Sequence, residues 1–300
     1  MAAATYCSGA TWTYLRVLQR TGLLRRMNVE VKARVLGKTV RFPVVEELGL
    51  LALQVGEPWA DRLFPVLMHH FPGTFVDVGV NIGQTLTKVR SIDPSVPYVG
   101  FEPNPACIKY SRELAQRNGW ANTPIVPAGL AEQDGLIDLL MINDDPADPA
   151  ASIVSDFRPG IKVHRRIPVA LLSFATVERT IPIPPIGVIK IDVEGAEREV
   201  LLSLRERIAK DRPAIFLEIL PVGVKAQAQR LQRQQDIESL FAALHYKLVR
   251  IHNKGEASRL EVMEGPIGIH DDQDLANFVI LPGERLAQEL PRMEQAFRHK

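Results

Sequence analysis

The chain has 300 residues, of which 46% are hydrophobic, and its 36 basic and 35 acidic side chains leave a formal net charge of +1. This length and hydrophobic fraction are sufficient for one large α/β domain with a sizeable core. Proteins that bind nucleic-acid duplexes usually carry a clear basic excess that replaces counterions. The balanced charge therefore argues against a nucleic-acid partner.

Cysteine and histidine spacing predicts no metal site. Cys7 and Cys107 stand outside any CxxC motif or Cys/His cluster, and no HxxxH or HExxH spacing occurs. Zinc binding and a disulfide framework are therefore not expected, although clustered acids could hold a hard cation. The longest apolar stretch, residues 48–55, is too short to span a bilayer, and Arg16 and Arg20 interrupt the apolar residues that a secretory signal would need. We expect a cytoplasmic protein without a transmembrane segment, and the sequence does not indicate its oligomeric state.

The N-terminal residues predict a small group of elements ahead of the main domain. Residues 11–26 predict a helix with apolar residues among basic ones, which could pack on the domain or lie on a membrane surface; packing is the preferred interpretation. Residues 28–42 predict a β-hairpin, because apolar and charged residues alternate there. Residues 57–70 predict a helix, in which Pro65 favours a kink or an early stop.

From Thr74 onward, strands and helices alternate. Strands are predicted at 74–80, 97–102, 124–129, 136–142, 186–192, 213–219, 246–252 and 276–281, and helices at 84–92, 105–118, 195–210 and 226–245. Apolar strands alternating with helices indicate a mostly parallel sheet covered on both faces, which binds ligands beyond the carboxyl ends of its strands. The Asp- and Pro-rich residues 143–168 predict a long loop, either a cover over the substrate or a solvated excursion. We predict an N-terminal extension, residues 1–70, that packs on a core domain, residues 71–300.

The first strand of this core ends in the sequence DVGVNIGQ. Gly79 and Gly83 would let the backbone turn tightly and approach a ligand closely. The dinucleotide fingerprint G-x-G-x-x-G is not met, because Asn81 and Gln84 take two of its glycine positions. The shorter form suits a ligand without phosphate, such as S-adenosylmethionine, whose ammonium group Asp77 could bind directly or through water. An ordinary strand–helix turn would also explain both glycines.

Ribose recognition is indicated at the end of the second strand. Glu102 is placed to accept hydrogen bonds from both ribose hydroxyls, a device that nicotinamide-binding proteins share. Asn104 is better explained as the N-cap of the next helix, with Pro105 in its first turn. The loop after the third strand would border an adenine, and Leu130 could contact the ring; a plain turn between two strands is at least as good an explanation.

The most specific stretch is KIDVEGAE, at the end of an apolar strand. While the chain is extended, Lys190, Asp192 and Glu194 point to the same side. Acidic residues in the first turn of a helix are stabilised by the helix dipole, which explains Glu194 in part. Unpaired buried charges are costly, so Lys190 and Asp192 must pair or face the ligand cleft. Glu218 ends the next strand and is either a further site acid or a partner for Lys190.

The ordered motifs FVDVGVNIGQ, FEPNP, KIDVEGAE and FLEI resemble the FkbM-type methyltransferases, and the resemblance covers residues 57–282. It implies a Rossmann-like class I methyltransferase fold with an antiparallel strand near the C-terminal edge of the sheet. It further implies S-adenosylmethionine as methyl donor and hydroxyls of sugars, glycolipids or natural products as acceptors. Two residues depart from the family pattern: Val80 stands where alanine is commoner, and Ser173, which could cap the next helix, stands where aspartate is usual.

Together, these observations predict an S-adenosylmethionine-dependent O-methyltransferase. The predicted cofactor-binding residues are Asp77, Gly79, Val80, Asn81, Gly83, Gln84, Glu102, Pro103 and Leu130, and the predicted catalytic residues are Lys190, Asp192, Glu194 and Glu218. Asp192 would act as base or orient the acceptor, Glu194 and Glu218 would orient the acceptor, and Lys190 would set the local charge. The alternatives are a module that binds S-adenosylmethionine without transferring its methyl group and, less favoured, a nicotinamide-dependent oxidoreductase.

Overall fold

The computed structural model describes residues 5–27, 29–44, 48–148, 151–154, 162–223, 228–252 and 259–298. The N-terminal elements are α1 (Gly9–Arg20), a 3-10 turn (Leu24–Arg26), β1 (Val29–Val35), β2 (Lys38–Val44), α2 (Leu48–Ala52) and α3 (Ala60–His70). The predicted hairpin is present as β1 and β2, which pair antiparallel along their whole length; its residue 28 lies outside the described residues. The predicted N-terminal helix is shorter than expected, since α1 ends at Arg20.

Helix α3 does not stop at Pro65, so the expected early stop is wrong. Proline removes one helical hydrogen bond, but tertiary packing supplies most of the stability of helices in proteins. Leu63, Phe64 and Leu67 of α3 are fully buried against the central sheet. These side chains are buried before and after Pro65 in the sequence, which explains why the helix continues to His70.

The core elements follow in strand–helix alternation. The strands are β3 (Thr74–Val78), β4 (Tyr98–Phe101), β5 (Ile125–Val126), β6 (Gly129–Leu130), β7 (Gly135–Met141), β8 (Arg165–Leu172), β9 (Ile186–Ile191), β10 (Ala214–Glu218), β11 (Tyr246–His252), β12 (Arg259–Val262) and β13 (Asn277–Pro282). The helices are α4 (Gln84–Ile92), α5 (Pro105–Arg117), α6 (Phe174–Glu178), α7 (Glu197–Asp211), α8 (Ala228–Ala243) and α9 (Gly283–Arg298). Of the helix predicted at 226–245, residues 226–227 lie outside the described part of the chain.

Eight strands form the central sheet in the order β12-β11-β13-β10-β9-β3-β4-β5. Neighbours from β5 to β10 are parallel, whereas β13 runs antiparallel to both β10 and β11. Helices α3 and α9 pack with one apolar cluster and α7 and α8 with the other, so both faces of the sheet are covered. The predicted α/β class is confirmed, including the antiparallel strand that the resemblance implies.

A second, three-stranded sheet was not predicted. Strand β7 pairs antiparallel with β8, and β6 pairs parallel with the other edge of β8. The strand predicted at 136–142 therefore lies outside the main sheet, and the predicted loop 143–168 is wrong at its end, where β8 begins at Arg165. Two arginines and Pro168 favoured a loop there. Proline is tolerated because β6 reaches only the last two residues of β8, which leaves Pro168 paired on one side.

The fold positions the site through the sheet register. Val78, Phe101 and Ile191, the last residues of β3, β4 and β9, lie side by side. Since β10 is parallel to β9, the side chains that follow these strands meet at one edge of the sheet. Among the helices that the structure describes, none has both the length and the apolar character needed to cross a membrane.

Candidate active site

A cavity of about 270 Å³ lies beyond the carboxyl ends of β4, β3, β9 and β10. Nine of the predicted residues line it: Gly79, Asn81, Gln84, Glu102, Pro103, Leu130, Asp192, Glu194 and Glu218. The other predicted residues do not line it: Val80 and Gly83 are part of the turn that follows β3, and Asp77 and Lys190 lie beneath that turn. Leu139, Ile153 and Val193 add apolar surface to the wall of the cavity and were not predicted.

The turn after β3 requires glycine at position 79. Gly79 has a φ of +87°, and a β-carbon there would lie 2.0 Å from the backbone oxygen of Asp192. The approach is close because the backbone NH of Asp192 donates to the oxygen of Val78 at 3.0 Å. Asn81 also takes a left-handed conformation, with a φ of +47°. The end of β3 and the acidic strand end of β9 therefore form one rigid unit.

Glu102 presents a fixed carboxyl group to the cavity. Its Oε2 accepts the backbone NH of Asn81 at 2.7 Å, and its Oε1 accepts that of Asn104 at 2.8 Å. Burial raises the pKa of Glu102 to about 7, although both hydrogen bonds act to lower it. Asn104 caps α5 as predicted, since its side chain accepts from the NH of Ala106. Each carboxyl oxygen keeps acceptor capacity for a further donor, because it has two lone pairs.

Asp77 and Lys190 form a buried pair beneath the turn. Tyr98 donates to Oδ2 of Asp77 at 2.7 Å, while Oδ1 has no hydrogen-bond partner among the described residues and lies 3.7 Å from Nζ of Lys190. Lys190 also donates to the backbone oxygen of Gly79 at 3.1 Å and lies 3.3 Å from Oδ2 of Asp192. Burial raises the pKa of Asp77 to about 6. Although burial acts to lower it, the carboxylates of Asp192 and Asp77 raise the pKa of Lys190 above its ordinary value.

Three carboxyl groups meet at the acidic end of the cavity. Asp192, Glu194 and Glu218 each have an oxygen within 4.8 Å of the others. Burial, together with the neighbouring Asp192, raises the pKa of Glu218 well above its usual range. Burial opposes the ionisation of Asp192, but Lys190 and a hydrogen bond from Glu218 lower its pKa. Because the two shifts have opposite directions, we infer that at neutral pH the pair holds one proton, on Glu218, and that Asp192 is ionised. A hard cation could take the place of that proton.

The described part of residues 143–154 forms one wall of the cavity. Asp148 lines the cavity and accepts the backbone NH groups of Ile142 and Asn143 at 2.6 and 2.9 Å. Ser152 donates to the backbone oxygen of Glu194 at 2.7 Å. The described part of this segment therefore lines the site, while its role as a cover over the substrate stays a prediction. The sequence signal was the run of aspartates and prolines, which favours side-chain-capped turns.

Two side chains of α4 donate hydrogen bonds to the N-terminal residues 51–57 and hold them beside the cavity. Gln84 donates to the backbone oxygens of Leu51 and Gln54 at 3.3 and 3.4 Å. The buried Lys88 donates to the oxygens of Gly56 and Glu57 at 2.6 and 2.8 Å. The amide of Gln84 thus contacts the protein itself, although the residue lines the cavity. Glu57, which was not predicted, acquires a raised pKa through burial, with Lys190 and Asp192 among the charges acting on it.

Replacing Glu197 with glutamine is expected to change how stability depends on pH. Glu197 is buried at the start of α7, accepts the NH of Gly195 at 2.7 Å, and has its pKa raised by burial from 4.5 to about 7. Below pH 4.5 Glu197 is protonated in both the folded and the unfolded chain. As the pH rises from 4.5 through about 7, the unfolded chain loses this proton before the folded chain does, so the folded chain loses stability. The difference in unfolding free energy should therefore shift in favour of Glu197→Gln by on the order of 2–3 kcal/mol between pH 5 and 8.

Urea unfolding at several pH values measures this difference. Glu206 on the same helix is exposed, and Glu206→Gln should change stability by no more than about 0.5 kcal/mol at each pH. A constant difference between Glu197→Gln and the wild type across the range would contradict the prediction.

The sheet order, the glycine turn and the acidic strand ends together define a Rossmann-like methyltransferase. Residues 77–248, more than half of the chain, match the profile of the methyltransferase FkbM domain. The chain therefore belongs to the FkbM methyltransferase family, and S-adenosylmethionine is its cofactor. A search of curated proteins found no significant match.

Several solved structures resemble this fold at low sequence identity. The FkbM methyltransferase of Methylobacillus flagellatus KT is 11% identical, with 92% of this chain and 72% of that chain covered and a TM-score of 0.44. A putative caffeoyl-CoA O-methyltransferase from Staphylococcus aureus is 10% identical, with 90% and 98% covered and a TM-score of 0.43. A putative methyltransferase of Streptococcus mutans in complex with SAH is 8% identical, with 76% and 97% covered and a TM-score of 0.37. The family assignment rests on the domain match and not on these resemblances.

Proposed function

We propose that the protein transfers a methyl group to a hydroxyl oxygen of a saccharide, glycolipid or natural product. The observation that carries this proposal is the carboxyl group of Asp192, which lies 3.3 Å from Nζ of Lys190 and beside Glu218 in the same cavity as Glu102. An acidic site of this kind accepts hydrogen bonds from hydroxyl groups, which are donors that polyols supply in number. The absence of a nucleic-acid acceptor remains a prediction from net charge, and the cytoplasmic location remains a prediction from the sequence.

The chemistry of the lining residues fits S-adenosylmethionine. Glu102 offers a buried carboxyl group for the ribose hydroxyls, and Leu130 offers apolar surface for the adenine. Gly79 and Asn81 form a close-approach turn without a phosphate-binding fingerprint. The acidic end of the cavity complements a cationic ligand, because three carboxyl groups meet there and Lys190 lowers the pKa of Asp192. Asp77 lies behind the turn, so we propose that it acts by holding Lys190 and the strand ends in place.

When bound, S-adenosylmethionine supplies a methyl group that its sulfonium has already activated. The chain must then hold the acceptor hydroxyl in line and remove its proton. Asp192 is placed to take that proton on its carboxylate, and Lys190 at 3.3 Å keeps this group ionised beforehand. Glu194 and the protonated Glu218 would orient the acceptor through hydrogen bonds, while the segment containing Asp148 would help to exclude water.

Two measurements test this function against its alternatives. Calorimetry should show binding of S-adenosylhomocysteine and none of NAD(H), since the turn lacks the pyrophosphate-binding glycines. Transfer of a radiolabelled methyl group should then be detected with at least one hydroxyl acceptor in a panel of monosaccharides, glycolipids, phenols and amines. Binding without transfer to any acceptor, amines included, would favour a non-catalytic module. Transfer to amines alone would contradict the O-methyltransferase assignment, and binding of NAD(H) alone would overturn the proposal altogether.

A further inference from the structure

Helix α1 and the turn after it expose apolar side chains that no described part of the chain covers. Tyr14 is 57% exposed, Val17 51%, Leu23 47% and Met27 42%. These are four of the seven large hydrophobic side chains that are exposed in the described residues, and they fall within 14 consecutive positions. Single exposed apolar residues are ordinary, but a concentration of them marks an interaction surface.

The same helix is anchored through a neighbouring face. Leu15 and Leu18 are buried in an apolar cluster that also contains residues of β1, β2 and α5. The helix therefore packs on the domain through that face, as the preferred interpretation predicted. This packing does not explain why Tyr14 and Val17 are exposed, because neither residue takes part in it.

Basic side chains lie next to the exposed apolar ones. With about 100° of rotation per residue, Arg16 and Arg20 form one row on the solvent side of α1, and Tyr14 and Val17 form the adjacent row. Both arginines are exposed, and Arg16 contacts only Gln19 of its own helix at 2.6 Å among the hydrogen bonds found. Apolar residues bordered by arginines are typical of helices that lie in a membrane interface.

The charge of the chain is divided unevenly. Residues 1–41 contain eight basic and one acidic residue, a formal charge of +7, and the remaining 28 basic and 34 acidic residues give −6. The hairpin contributes to this excess on its outer face, where Lys32 lies opposite Arg41 in the register and both are exposed. A net charge of +1 for the whole chain therefore conceals a strongly basic N-terminal part.

We propose that α1 and the following turn dock on an anionic membrane surface. The docking surface consists of Tyr14, Arg16, Val17, Arg20, Leu23 and Met27. Its apolar side chains would enter the interface, and its arginines would reach the lipid phosphates with their long stems. A second copy of the chain is a poor occupant, because a symmetric contact would bring two parts of charge +7 together. This docking does not depend on the proposed methyl transfer, since the surface lies outside the cavity.

Co-sedimentation with vesicles tests the proposal on the full chain. Binding is expected to vesicles of phosphatidylcholine with a quarter phosphatidylserine, to fall as salt is raised, and to be weak with phosphatidylcholine alone. Arg16→Glu with Arg20→Glu should weaken binding by about fivefold or more for each arginine. Tyr14→Ser with Val17→Ser should weaken it independently, because this double variant leaves the charge unchanged.

Matched controls come from other exposed positions. Arg205 and Lys210 are exposed on α7, and Leu136 is 83% exposed on β7. Arg205→Glu with Lys210→Glu, and Leu136→Ser, should bind vesicles like the wild type, and all variants should keep the wild-type melting temperature. Equal binding to both vesicle types, or unchanged binding by both α1 variants, would overturn the proposal. It would also be overturned if light scattering showed a dimer that the Tyr14→Ser, Val17→Ser variant dissociates.

Discussion

Replacing Asp192 with asparagine is expected to lower kcat by about a hundred- to ten-thousand-fold, the range that a positioned general base contributes. The amide keeps the shape of the side chain but cannot take the proton of the acceptor hydroxyl. It also removes the charge that Lys190 faces at 3.3 Å. Affinity for S-adenosylhomocysteine should change little, because Glu102 and the turn after β3 remain. Calorimetry and turnover of the acceptor found in the panel measure the two quantities separately.

Glu218→Gln is the matched control for this substitution. Glu218 carries the proton of the pair at neutral pH, so a neutral amide at that position still donates to the carboxylate of Asp192. We expect kcat to stay within about tenfold of the wild type, since the group that takes the proton is unchanged. Near-normal kcat in Asp192→Asn would remove Asp192 from the role of base. An equal loss in both variants would show that the proton is not held by Glu218 as inferred.

Residues that follow adjacent parallel strands could be predicted from the sequence. Gly79, Glu102 and Asp192 each come directly after an apolar strand, and parallel strands deliver their ends to one edge of a sheet. The structure brings these three to the same cavity. No knowledge of strand order was needed for this, because every candidate order in such a sheet places those ends on the same side.

The direction in which a side chain points could not be predicted without the register of the strands. Asp77 was predicted to bind the ligand, but it occupies a position on β3 paired with Lys190 on β9, and the two side chains face each other beneath the turn. That pairing joins positions more than a hundred residues apart in the sequence, and local patterns carry no information on it. The contacts of Gln84 and Lys88 with residues 51–57 are hidden for the same reason.

The three-stranded sheet illustrates a different limit. The β7 sequence is apolar apart from Gly135 and Asp138 and was predicted as a strand, but nothing local distinguishes a strand of the main sheet from a strand that pairs elsewhere. Its partner β8 begins with two arginines and contains Pro168, which local propensity assigns to a loop. Pairing along all of β7 decides the outcome, and this is a tertiary effect that overrides propensity.

Gly79→Ala is expected to be the most damaging small substitution in the site. The new methyl group would lie 2.0 Å from the backbone oxygen of Asp192, and the left-handed φ of +87° disfavours any β-carbon. Backbone strain of about 1–2 kcal/mol and overpacking of about 1–3 kcal/mol should together lower the free energy of unfolding by about 2–5 kcal/mol. Since neither backbone can move without displacing Asp192, kcat should also fall by about a hundredfold.

Gly119→Ala separates the two causes. Gly119 has a φ of +65°, but a β-carbon there meets nothing within 4 Å, so the variant should lose only about 1–2 kcal/mol through backbone strain and keep wild-type turnover. Urea unfolding of both variants, with turnover measured alongside, gives the comparison. Equal losses of stability would mean that β3 and β9 do not approach as closely at their ends as described. The difference between the two variants therefore measures the contact that joins the cofactor turn to the acidic strand end.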